Sequence, residues 1–153
     1  MCSASPVLLV ASAGEHLAQL WALRPWWERR TRVWVSYPTM GATPLLRGEE
    51  VHWVRPRSGV RGAALLRELS LATRMFARRR PAVVVSTGAG VALPFFVVAW
   101  LAGVPTVYIE RYDRLGAPTL TARLCRPFTR LYLTQWEEQR EFLPAAITVG
   151  PLL

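Results

Sequence analysis

His16, Glu110 and two glycine turns carry the chemistry that this chain can offer. His16 belongs to Ser12-Ala13-Gly14-Glu15-His16, where an apolar run gives way to a helical pattern. A helix start disfavours the imidazolium and keeps the ring neutral, able to accept a proton. The residue reads as a general base or as a capping and packing histidine. Thr87-Gly88-Ala89-Gly90 is a second small turn, again at the opening of a helix. Its backbone N–H groups could open onto an anion, because unsatisfied donors and the helix dipole attract negative charge there. The turn reads equally as a tight connection, with glycines for geometry alone. Glu110 ends an apolar stretch and is followed by Arg111, Asp113 and Arg114. A carboxylate there could bind substrate hydroxyls, or pair with an arginine and brace its loop. His52, beside Trp53, reads as structural.

The elements that must position these residues follow from Pro81–Glu110, which carries no charge between Arg80 and Glu110. The stretch is too interrupted for a membrane span, which needs about 20 consecutive apolar residues. It divides into a β-branched strand (Val83-Val84-Val85), the glycine turn, an apolar helix over Val91–Leu101, and a strand over Thr106–Ile109. That is one parallel crossover. Upstream, Pro6–Ala11, Val33–Ser36 and Val51–Val54 read as strands. Glu15–Leu23 reads as a helix that Pro25 ends, and a single helical turn is expected at Leu45-Leu46. Val60–Arg79 has helical spacing, with Leu65, Leu69, Ala72 and Phe76 on one face and Arg67, Arg74 and Arg78 outward. Downstream come a short helix over Thr119–Pro127, strands at Leu131–Thr134 and Ile147–Val149, and a helical turn over Glu137–Phe142. Alternating strands and helices predict a Rossmann-like α/β fold: a parallel sheet of six or seven strands with helices on both faces. Residues 1–153 read as a single domain. In such sheets ligands lie beyond the carboxyl ends of the strands. That rule collects Ser12–His16, Thr87–Gly90, Glu110–Arg114 and Gln135-Trp136 along one edge.

Composition narrows the partners. Arg and Lys exceed Asp and Glu by nine, which favours nucleic acid, anionic headgroups or phosphorylated substrates. No nucleic-acid recognition motif accompanies the charge, so a nucleic-acid partner is not expected. The first turn lacks G-x-G-x-x-G, and no Walker lysine pattern is present, so no nucleotide cofactor is expected. Cys2 and Cys125 have no metal spacing and no reason to pair, which fits a reducing compartment. The start has neither a secretory signal pattern nor a lipoprotein anchor pattern. Trp26-Trp27 beside Arg29-Arg30 is an aromatic and basic cluster. It reads as a membrane-interface contact or as a packing anchor under the first helix.

The turns also match a family in order. S-x-G-x-H-x-x-Q-L (Ser12, Gly14, His16, Gln19, Leu20), VVSTGAGVALPF (Val84–Phe95), YIERYDR with PTLTARL (Tyr108–Leu124), LTQWEEQ (Leu133–Gln139) and VGPLL (Val149–Leu153) resemble the Alg-fourteen and PssD family. These are the acceptor-side halves of two-chain GT-B glycosyltransferases in oligosaccharide and exopolysaccharide synthesis. The chain also looks like the N-terminal domain of MurG-type enzymes. The resemblance implies a peripheral subunit on the cytoplasmic face of the membrane. It would bind a polyprenyl-diphosphate-linked acceptor, and a separate Alg-thirteen/PssE-like chain would bind the UDP-sugar. The activity implied is inverting hexosyl transfer, of the N-acetylglucosamine or glucuronic acid type, without a metal. His16 would take the acceptor proton, with Glu110 as a second catalytic residue. Ser12, Gly14, Thr87, Gly88, Ala89, Gly90, Arg114 and Gln135 would hold the acceptor. Relatives of full length would continue beyond Gly150-Pro151 into a donor domain, which fits the lack of a nucleotide motif here. A scaffold that docks only a partner and a membrane is the other reading. Glu15 stands where the family has a second glycine. A positive φ there would cost on the order of 1 kcal/mol, and its charge would meet the diphosphate.

Overall fold

A computed structural model describes residues 5–56, 61–113 and 116–152. The apolar, β-branched runs pair into one parallel sheet of seven strands. They are β1 (Val7–Val10), β2 (Arg32–Ser36), β3 (Val51–Trp53), β4 (Val83–Ser86), β5 (Thr106–Ile109), β6 (Leu131–Thr134) and β7 (Ile147–Thr148). Their spatial order is β3-β2-β1-β4-β5-β6-β7. β1 and β4 pair in register from Val7 with Val83 to Val10 with Ser86, so both strands end level.

The period of two along each strand sorts the core into two layers. Leu8, Val10, Val33, Val35, Val84 and Tyr108 face one side. There they meet α4 (Arg61–Arg78), α5 (Ala92–Leu101) and α6 (Leu120–Cys125). Val7, Leu9, Trp34, Val85 and Ile109 face the other side. They are covered by α1 (Glu15–Ala22), α2 (Arg24–Trp27) and α3 (Ala42–Leu45). Helices on both faces explain why β1 is buried along its whole length. The Rossmann-like architecture expected from the alternating pattern is the one observed.

Three local expectations shift. The helix entered at Glu15 ends at Ala22, and Pro25 does not stop the chain. It falls in the first turn of α2, where proline's fixed φ is tolerated and no N–H is needed. The buried face of α4 is rotated from the expected one. Ala64, Glu68, Ala72 and Phe76 point in, whereas Leu65 and Leu69 are half-buried. The predicted start of that helix, Val60, lies outside the described residues. Thr119 caps α6, its Oγ1 accepting from the Ala122 N–H at 3.1 Å.

The extra turn of α2 decides what the two tryptophans do. Trp27 is 1% exposed and is not a membrane contact. It packs edge-on to Trp34, with ring centroids 5.4 Å apart, and at 5.0 Å from Trp21. Its Nε1 donates to the Leu20 carbonyl at 2.9 Å, and the Arg32 guanidinium lies over its ring. Trp26 stays at the surface with Arg29 and Arg30, and Arg30 stacks over its ring at 5.2 Å. α1 runs back along the sheet from the carboxyl edge, so this corner lies at the opposite edge from the loops gathered above. No helix among the described residues is long and apolar enough to cross a membrane.

Emptying the Trp27 site should cost about 3–5 kcal/mol, the range for large aromatic deletions from a core. Trp26→Ala should cost less than about 1 kcal/mol, since it removes an exposed ring and one cation–π contact. Urea titration of the two variants gives both values, and equal losses would contradict the burial described.

Candidate functional site

Strand order puts the ends of β1 and β4 side by side, and successive crossovers leave in opposite directions from there. A crevice opens at such a switch point, lined by the loops after these two strands. Two reciprocal hydrogen bonds join those loops. His16 Nδ1 lies 2.8 Å from the Thr87 carbonyl oxygen. Thr87 Oγ1 donates to the His16 carbonyl at 2.7 Å. A carbonyl only accepts, so Nδ1 holds the proton and the neutral ring presents Nε2 as an acceptor. Burial lowers the pKa of His16 below its ordinary value. The Arg111 charge pushes the same way, and the bond to Thr87 opposes them. The ring is therefore neutral at pH 7, as a proton acceptor must be.

The backbone of both loops is shaped by left-handed residues. Gly14 has φ 66° and ψ −136°, a region closed to residues with a Cβ, and α1 starts directly after it. Glu15, the first residue of α1, does not have positive φ, so it carries no left-handed strain. At Gly88, φ is 104°, and a Cβ there would sit 2.5 Å from the Tyr108 hydroxyl and 3.4 Å from His16 Cε1. Ala89 adopts φ 67°, at a cost of roughly 1 kcal/mol for a residue with a Cβ. The Gly88 N–H is not open to an anion, because it donates to Ser86 Oγ at 3.0 Å. Any ligand contact from this turn must come from beyond that group.

Glu110 is buried at 3% exposure. Tyr132 donates to its Oε2 at 2.7 Å, and Tyr132 stacks on Tyr108 with ring centroids 4.8 Å apart. Burial and the Glu110 carboxylate both hold the two phenols protonated far above the usual tyrosine range. Glu110 thus stands behind the Gly88 turn, in contact with protein. Gln135 is also buried. Its Nε2 donates to Gln19 Oε1 at 2.7 Å and to the Glu110 carbonyl at 2.8 Å. Its Oε1 accepts from the Leu152 N–H at 2.9 Å. These bonds make Gln135 a brace that ties α1, β5, β6 and the last described segment together. Ser12 is half-buried, and its carbonyl accepts from Ser36 at 2.7 Å. Arg114 lies outside the described residues. No cluster of potential metal ligands occurs among the described residues.

One pairing at this edge was not anticipated. Arg111 ion-pairs with Glu15 of the first loop and with Asp113 of its own loop. Its Nε donates to Asp113 Oδ1 at 2.8 Å, and its carbonyl accepts from Gln139 at 2.7 Å. The pair with Glu15 joins positions 96 residues apart. Two clefts, of about 600 and about 490 Å³, lie against α4 away from these loops. Arginines and apolar side chains line them, with Glu68 and Ser70 in the first and Glu50 and His52 in the second, and they hold none of the groups described at the switch point.

No protein-family profile matches the chain. A curated relative is the UDP-N-acetylglucosamine--N-acetylmuramyl-(pentapeptide) pyrophosphoryl-undecaprenol N-acetylglucosamine transferase of Myxococcus xanthus. It is 34% identical over 71 residues, which are 46% of this chain and 18% of the relative. Over those 71 residues the chain is similar to that transferase. MurG of Acinetobacter baumannii superposes with a TM-score of 0.74 at 17% identity, over 88% of this chain and 43% of that one. MnaA of S. aureus, solved with UDP, superposes at 0.77 and 9% identity, over 97% of this chain and 45% of that one. The chain therefore has the Rossmann-like fold of a GT-B domain and spans less than half the length of each of these proteins.

Gly88→Ala should destabilise by about 1–3 kcal/mol through overpacking and left-handed strain. Tyr108→Phe, which removes the clashing hydroxyl, should recover part of that loss, as thermal melts of the single and double variants would reveal. His16 should titrate below 6.5 by imidazole NMR. A folded-state value below the unfolded one means that the unfolded chain binds more protons. This contribution to stability is complete above pH 6.5 and falls away as pH drops from there through the folded value. A midpoint at or above 6.5 would contradict the buried, neutral ring.

Proposed function

We propose that this chain is the acceptor side of a GT-B glycosyltransferase. It would hold a polyprenyl-diphosphate-linked sugar while a separate Alg-thirteen/PssE-like chain presents the UDP-sugar. One observation carries the reading: the mutual clasp of His16 and Thr87, which fixes a neutral imidazole with a free Nε2 at the switch-point crevice. Local likeness to a transferase that acts on a pyrophosphoryl-undecaprenol substrate supplies the substrate class.

The chemistry follows from that atom. An acceptor hydroxyl within reach of Nε2 gives up its proton as its oxygen attacks the anomeric carbon of the donor. The bond from that carbon to the UDP oxygen breaks, and UDP leaves with the electron pair on its phosphate. One displacement inverts the anomeric centre. General-base assistance contributes on the order of 10²–10⁴-fold. Holding acceptor and donor across the interface of the two chains supplies much of the rest. Ser12, Gly14, Thr87, Ala89 and Gly90 would line the acceptor loops. Glu110 and Gln135 act from behind, as supports of those loops.

A lipid-linked acceptor brings its diphosphate to headgroup level, so the loop edge belongs near the cytoplasmic leaflet. The Trp26, Arg29 and Arg30 corner lies roughly 12 Å or more away, by the rise of the eight residues of α1. A domain lying along α1 would bring both to the surface together. The corner would then add headgroup contacts without touching the acceptor.

Co-expression with a short UDP-sugar-binding chain should give a complex that transfers sugar to a prenyl-diphosphate-linked acceptor. His16→Ala in that complex should lower kcat by about 10²-fold or more. Turnover unchanged by the substitution would favour a scaffold that docks partner and membrane without taking part in the chemistry. Absence of both association and transfer would remove the reading altogether.

A further inference from the structure

Among the described residues, the mouth of the site has few cations for the ligand proposed to enter it. The described charged groups that act on His16 are Arg111, Asp113 and Glu15, two carboxylates to one guanidinium, and both carboxylates pair with the guanidinium. Arg111 is mostly covered, with its side chain 20% exposed, whereas Glu15 and Asp113 are 53% and 37% exposed. Its backbone is pinned, because its carbonyl accepts from Gln139 and the Glu110 N–H before it donates to Leu133. The guanidinium therefore reaches from the end of β5 to the first residue of α1 and stands close enough to His16 to influence its charge. A planar fork with two carboxylates on it is already arranged for a two-pronged oxyanion.

We propose that Arg111 binds the diphosphate of the acceptor, and that Glu15 and Asp113 hold its side chain ready until that anion replaces them. The inference rests on the acceptor-side reading and adds to it a residue that the glycine turns alone do not supply. Surface-exposed carboxylates are weakly held partners, since exposed ion pairs are worth little and are screened by salt. A diphosphate offers higher charge and several oxygens at once, so the exchange favours the ligand. Glu15 then has a role that a glycine could not fill. It keeps the fork extended across the mouth in the empty site, and it opposes anions too weak to displace it. The Gly88 N–H is committed to Ser86, so among the described groups at this edge the guanidinium is a stronger anion ligand than that N–H.

Titration calorimetry of the full chain with farnesyl diphosphate at low ionic strength tests this without any sugar transfer. Wild type should bind with one site per chain. Arg111→Gln should weaken binding about tenfold or more. Glu15→Gln should tighten it up to about fivefold, the measure of one exposed ion pair released. In the Arg111→Gln background Glu15→Gln should change little, because Glu15 acts through Arg111. Equal tightening in both backgrounds would reduce Glu15 to a general repulsion and overturn the proposal. Binding unaffected by Arg111→Gln would do the same while leaving the acceptor-side reading intact. Failure of wild type and every variant to bind the prenyl diphosphate would remove both. If Arg111→Gln does not fold by thermal melt, Glu15→Gln and Asp113→Asn carry the test, and no tightening in either would overturn it.

Discussion

The reciprocal pair of hydrogen bonds between His16 and Thr87 is the constraint on which the site depends. It joins residues 71 positions apart, each giving one donor and one acceptor. Neither loop could hold its shape alone. The loop after β1 contains a glycine in a backbone region that other residues avoid, and the loop after β4 contains an alanine in the left-handed region. Each conformation is costly by itself and persists only where its surroundings over-determine it. The clasp does this in one step, and it also chooses the histidine tautomer. Sheet register makes it possible: because β1 and β4 run level, their loops emerge at the same height.

Beneath the clasp, polar groups that would ordinarily be exposed are buried and bonded to one another. Tyr132 holds Glu110, Tyr108 fills the space left by the absent Cβ of Gly88, and Gln135 links α1 to Glu110 and Leu152. Networks of this kind are stiff when complete, since each unmet bond costs the full desolvation of its group. They explain how three loops from different crossovers share one geometry. They also place Glu110 and Gln135 as supports of the loops, with their polar atoms turned into the protein.

The strands were legible because the physics of each is local. Val83-Val84-Val85 and Thr106–Ile109 are β-branched or aromatic runs between breakers, and both became strands at those positions. The loop edge was legible for a different reason: parallel topology alone assigns the carboxyl ends of strands to ligands. What escaped the sequence involved distant partners or competing local rules. Pro25 reads as a stop, yet it was accommodated in the first turn of α2, which turned Trp27 into the core. Leu65 and Leu69 looked like the inner stripe of α4, but the buried stripe was offset to Ala64 and Glu68. The pair of Arg111 with Glu15 gave no signal because the two stand 96 residues apart, and no period or spacing connects them.

Departures from local rules are not spread evenly. Gly14, Gly88 and Ala89 with positive φ, the buried carboxylate of Glu110 and the buried, unpartnered Gln19 Nε2 gather where β1, β4, β5 and β6 end, whereas Gly48, Gly103 and the buried Glu68 of α4 lie elsewhere. Outside this group, the other orphan atom among the described side chains is Arg79 Nε, at the far edge before β4. A sequence selected for stability alone would have little reason to concentrate strain and buried polarity on one edge. A sequence that must hold an imidazole, a guanidinium and two glycine turns within one crevice has such a reason. The stabilising burial lies in the two apolar layers, and the costly conformations lie at the strand ends, where those layers hold them in place.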